Sequence, residues 1–155
     1  MIPSIDDRLA SVVRALTDIV LPALPPEAGL AIEQSQLAIG HLQIIGAQLA
    51  AAPAYEQEEA DDARALALIL LARGDGGPAT QAALARLRDA VALKTGAREA
   101  RVAVHEAIDG LVRQASSDGD AGFRAALGPI IVTHQQARTM KDRQWFTPMG
   151  FDAGI

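Results

Sequence analysis

The chain has 155 residues, half of them apolar and only 3% aromatic, with a formal net charge of −5. That length favours one domain with a sizeable core. A net acidic chain without a basic face excludes a nucleic-acid binder, whose affinity rests on neutralising phosphates.

The absence of cysteine removes disulfides, thiolate metal sites and cysteine nucleophiles together. Asp6 and Asp7 stand where a signal peptide needs basic residues. No apolar run reaches the ~18 residues required to span a bilayer. The expectation is therefore a cytoplasmic protein with neither a membrane nor a nucleic acid as partner. Runs with strict period-two alternation are missing, and alanine, leucine, isoleucine and valine must fill the core. The predicted fold class is all-α.

Ser4 followed by Asp7 forms a capping pair at the start of the first helix. Leu9, Val12, Val13, Leu16 and Ile19 then recur at steps of three and four residues. Pro22 is expected to stop this helix, and Pro26 to open the next. The segment 26–52 is the longest helical candidate. Leu30, Ile32, Leu37, Ile39, Leu42, Ile44, Ile45 and Leu49 fall on several of its sides, which predicts a helix enclosed by neighbours. Gly40 and Gly46 within it are expected to mark close crossings by other helices.

A third helix is predicted from about 54 to 73, acidic at its start and buried through Leu66, Ile69 and Leu70. The acidic start reads as a solvated end matched to the helix dipole, with a docking surface as the alternative. Gly74-Asp75-Gly76-Gly77 is the clearest loop. Pro78 opens a fourth helix with Leu84, Leu87 and Val91 inward. A fifth, at about 97–115, places Val104, Ile108, Leu111 and Val112 inward. The segment 116–120 is a plain turn with Asp120 as N-cap. The last helical stretch carries Phe123, Leu127, Ile131 and His134 across Gly128-Pro129, where a kink or restart is expected. The irregular tail, 143–155, holds Trp145, Phe146 and Phe151, and should pack on the bundle or on a second subunit.

Three histidines, His41, His105 and His134, lie on three predicted helices. With Asp109, one turn after His105, they are the only candidate metal ligands, yet no His-x-x-x-His or Glu-x-x-His pair supports them. Each also reads as a hydrogen-bonded core or boundary residue. No nucleophile elbow or Ser–His–acid set is present, so no catalytic residue is assigned. Gln34, His41 and Gln48 are spaced by seven and line one side of the 26–52 helix. That row is either a polar seam against another helix or ligand, or the outer face of an ordinary helix. Together with His134, Trp145 and Phe146 it forms the candidate ligand-binding set.

The run VLPALPPEAGLAIEQSQLAIGHLQIIGAQL, residues 20–49, resembles the opening of a family of small bacterial helical domains. Members of that family accompany aminoglycoside-phosphotransferase-like kinases and acyl-CoA dehydrogenases. The resemblance covers the first third of the chain and implies a helical accessory or partner protein, with no catalytic residues carried over.

The sequence thus predicts an up-and-down bundle of five or six helices over 1–142, arranged around the 26–52 helix, with 143–155 as a tail. The expected function is a non-catalytic accessory or protein-interaction domain without a cofactor, forming a homo-oligomer or binding a partner protein. The alternative is a small-molecule-binding or metal-using bundle enzyme with its pocket near His41.

Overall fold

A computed structural model describes residues 2–146. Its described residues form six helices and no strand, so the chain is all-α. We number them α1 (Ile5–Ala15, carried on by a π-helical turn Leu16–Val20 and a last turn Leu21–Ala23), α2 (Gly29–Leu49), α3 (Ala52–Arg73), α4 (Pro78–Ala92), α5 (Ala97–Asp118) and α6 (Ala121–Phe146). Within the span expected as one bundle, the chain divides into two compact units, 1–53 and 54–155.

The first unit is a hairpin of α1 and α2. Its start is the capping box read from the sequence. The Asp7 backbone N–H donates to Ser4 Oγ at 3.0 Å, and the Ser4 backbone N–H donates to the Asp7 carboxylate at 3.2 Å. These bonds to Ser4 hold the Asp7 carboxyl below its ordinary pKa. Pro22 does not stop α1. The helix absorbs it by widening into the π turn and ends at Ala23, with Leu24 in an extended conformation. Pro26 accordingly falls in a turn, and α2 begins three residues later, at Gly29. On α2, Ile39 alone is fully buried. Its other large apolar residues are half-buried (Ile32, Leu42, Ile44, Leu49) or exposed (Leu30, Leu37, Ile45). Gly40 and Gly46 are uncrossed: a methyl group added at either would meet nothing within 4 Å.

The second unit is a four-helix bundle, α3 to α6. Its core gathers Leu66, Leu70, Leu84, Leu87, Val104, Ile108, Leu111, Phe123 and Leu127, with Ala63, Ala67, Ala83 and Ala115 between them. Alanines at these positions let the helices approach closely, which is how a chain so poor in aromatics fills its interior. Ile69 and Val112, expected inward, are exposed at 46% and 36%; the inward row of α3 runs instead through Ala60, Ala63, Leu66, Ala67 and Leu70. Bonds from α3 to α5 join Glu56 to Arg98 and Glu59 to Arg101, the same sequence separation of 42 in both cases. A constant separation means that α3 and α5 run in the same direction. Bonds from α3 to α6 join Tyr55 to Asp142 and Asp62 to His134, numbers that rise on one helix and fall on the other. These two helices are therefore antiparallel, as an up-and-down bundle requires. Pro129 lies inside α6, which continues past it without restarting.

The junctions at one end are tied together. Asp118 belongs to the end of α5 rather than to a free turn, and it caps α4. Its Oδ2 accepts from the Ala79 N–H at 2.8 Å, and its Oδ1 accepts from the Thr80 N–H at 2.9 Å and from Thr80 Oγ1. The Thr80 hydroxyl, with those two amides, holds the Asp118 carboxyl below its ordinary pKa. Gly76 pairs with Gly119 in an isolated bridge. It adopts a φ of +156°, and a Cβ there would lie 2.7 Å from the Gly119 Cα, so only glycine fits. Asp120 caps α6 as expected, accepting from the Gly122 N–H at 2.7 Å.

Candidate functional site

Two features stand out, one in each unit. The first is the outward side of α2. The side that meets α1 carries Ile39, Leu42 and Gly46; clefts of about 360 and 350 Å³ flank the contact, lined by Ile5, Leu9, Val12 and Val13 of α1 with Leu42, Gln43 and Gly46 of α2. Leu30, Leu37 and Ile45 point elsewhere and are exposed at 73%, 49% and 49%. Gln34 and His41 are exposed beside them, and Gln48 is half-buried.

The expected row therefore exists, and it shares its side of the helix with Leu30 and Leu37 at the same seven-residue spacing. The clefts lie along the α1 side of α2, and His41 does not line them. From Gln34 to Tyr55 the sequence contains no charged side chain and only one ionisable group short of the tyrosine, His41. Surface helices ordinarily carry charge at about a quarter of their positions. An exposed side this neutral, with large aliphatic groups on it, is the composition of an interface centre.

The second feature is a ladder of charges between α3, α5 and α6. Glu59, 2% exposed, accepts from Arg101 at 3.0 Å and also pairs with Arg138. Glu56 pairs with Arg98, and Asp62 with Lys141 at 2.6 Å. That bond raises the pKa of the lysine. The acidic start of α3 is thus not simply a solvated end. Its acids bind basic side chains of neighbouring helices, at matching three-residue spacings: 56, 59 and 62 on α3, 98 and 101 on α5, 138 and 141 on α6. The Tyr55 hydroxyl donates to Asp142 at 2.5 Å, and burial together with that bond pushes its pKa above the ordinary value. The Tyr55 ring stacks on Trp145, centroids 4.3 Å apart.

Trp145 thereby belongs to the end of α6 and packs on the bundle. Of the expected tail, 143–146 is helical, and 147–155 with Phe151 lies outside the described residues. Phe146 is the last residue of α6, and its side chain also lies outside the described set.

The remaining histidines sit in the bundle. The His134 Nε2–H donates to the Asp62 carbonyl at 3.0 Å, and the buried Nδ1 has no partner among the described residues. His105 is half-buried, and its pKa is lowered, first by burial and then by the charges of Arg138 and Arg101. Asp109, one turn away, opposes that shift weakly. Among the described residues no group of three or more His, Asp or Glu side chains gathers as a metal ion requires, so His41, His105, Asp109 and His134 do not converge. The charged groups that do converge are spent on one another. Glu59 in particular, 2% exposed, holds both of its arginines through Oε2.

Sequence reading missed Glu59 as a buried group and Asp118 as a cap. The matching three-residue spacings of acids on α3 and bases on α5 and α6 were the available signal for the first. Comparison with protein-family models, with curated proteins and with solved structures finds no match.

Proposed function

We propose that this protein is a non-catalytic helical interaction module that associates with a second copy of itself through the outward side of α2, while the four-helix bundle serves as a folded support. The observation that carries this reading is the exposure of Leu30, Leu37 and Ile45 on a helix without a charge from Gln34 onward. Covering a half-exposed Leu or Ile is worth on the order of 1 kcal/mol. A helix that leaves three of them in water gains by docking, and a two-helix hairpin has too few neighbours of its own to cover them.

Two further points support the reading. Gly40 and Gly46 cost up to about 1 kcal/mol each in helix propensity. Among the described residues nothing lies within 4 Å of a methyl group added at Gly40, and a helix docked on α2 would account for that glycine; Gly46 lies on the side that meets α1. The partner must also be neutral where α2 is neutral, and α2 itself meets that condition. The resemblance of residues 20–49 to bacterial accessory domains agrees with a role in assembly.

Amide hydrogen exchange as a function of protein concentration tests the proposal. Protection over 29–49 should rise with concentration, while protection over 78–118 stays constant. Protection over 29–49 that does not change with concentration would contradict it.

A further inference from the structure

The outward side of α2 reads nearly the same in both directions. Gln34 lies seven residues before His41, and Gln48 lies seven after it. Leu37 lies four before, and Ile45 four after; both are exposed at 49%. Ala38 and Ile44 complete the pattern three residues to either side. In an antiparallel helix pair the numbers of facing residues sum to a constant. A two-fold axis makes such a contact isologous, so that residue i meets j and j meets i.

We infer that α2 pairs antiparallel with α2 of a second copy about a two-fold axis at His41. In this register Gln34 faces Gln48 of the second copy, Leu37 faces its Ile45, Ala38 faces its Ile44, and the two His41 rings meet at the axis. Among these pairs every apolar residue meets an apolar one and every amide meets an amide, while Leu30 lies beyond the end of the second α2. Moving the axis by half a residue sets Leu37 against Ile44 but places Gln34 opposite Ala47, and an axis between Leu37 and Ala38 pairs Leu30 with Ile45 but sets the Gln34 amide against the His41 imidazole. The amide and imidazole row has the role that a few polar groups play in helix pairs generally, which is to fix register at some cost in affinity. Large opposite small at Ile44 and Ala38 lets the helices close, and Gly40 beside the axis adds no bulk. A parallel pair would instead set each residue against itself, leaving Leu37 facing Leu37 and the two amides of each level in like orientation.

The inference rests on the self-association proposed above, and the chain's lack of cysteine makes it directly testable. In the full chain, His41→Cys and Gln34→Cys each introduce one thiol at an exposed position and Gln48→Cys one at a half-buried position, and circular dichroism checks that the helices persist. With a short bismaleimide reagent, His41→Cys should give a covalent dimer in high yield. Gln34→Cys and Gln48→Cys alone should give little, because each thiol lies about 21 Å along the axis from its own copy. Mixed together, those two variants should cross-link with each other.

Linkage of all three single variants would overturn the register in favour of a parallel pair. Linkage of none, with a dimeric mass, would place the interface elsewhere and leave self-association standing. A monomeric mass with none linked would overturn both. Co-sedimentation of the monomer with phosphatidylcholine vesicles would assign the neutral face to a lipid surface instead, and would likewise overturn both.

Discussion

Replacing Glu59 by Gln keeps the shape of the side chain and removes its charge. Glu59 is 2% exposed, and its partners Arg101 and Arg138 are exposed at 26% and 23%. Breaking a fully buried pair from one side costs about 3–5 kcal/mol, because the remaining charge stays buried and unpaired. Here the arginines reach solvent in part and can regain some hydration, which places the cost near the lower limit, about 3 kcal/mol. With a urea slope of about 1.5–2 kcal/mol/M for a unit of this size, the midpoint should fall by roughly 1.5–2 M. Trp145, the only tryptophan, stacks on Tyr55 close to this network, so its fluorescence reports the unfolding of the bundle. Replacing Glu59, Arg101 and Arg138 together by Met should recover most of the loss, since no charge is then left without a partner. A midpoint shift below about 0.3 M for Glu59→Gln would refute the argument, because it would mean that the arginines are fully solvated without their carboxylate.

Other consequences concern the core and the cap. Leu111 is fully buried in the bundle, and Leu111→Ala should cost about 2–5 kcal/mol by the same fluorescence measurement. Leu37→Ala, at a half-exposed position of the hairpin, should leave that transition unchanged. Asp118 has its pKa lowered by the fold, so its contribution is complete above the unfolded carboxylate value of about 3.9 and is lost as pH falls through the folded value. Asp118→Asn should therefore lower the urea midpoint at pH 7, and the gap from the unaltered protein should narrow below about pH 4.

The sequence made the class of the fold and most helix positions legible because local signals decide them. Ser4 with Asp7, Pro78, Gly74–Gly77 and Asp120 each act within one turn of themselves, and each was in place. Boundaries failed where the backbone had a second solution. At Pro22, α1 widened into a π turn instead of ending, and α2 started at Gly29 in consequence.

Enclosure was the harder quantity. An apolar side chain shows a preference for leaving water and does not say which surface will cover it. Ile39 and Leu30 look alike in the sequence, yet one is buried against this chain and the other is 73% exposed. The Gln34–His41–Gln48 row was visible from its spacing, and the exposure of Gln34 and His41, with Gln48 half-buried, had to come from the structure. Glu59 was hidden because burial of an acid depends on bases 42 and 79 residues away. Asp118 was hidden because the amides it caps belong to a different helix.

Solution mass tests the central claim most directly. The chain weighs 16.2 kDa. Multi-angle light scattering over roughly 1–500 µM should show a mass rising toward about 32 kDa for the unaltered protein. With Leu37 and Ile45 both replaced by Asp, it should stay at the monomer value at every concentration. Equal masses for the two proteins across that range would contradict self-association through α2.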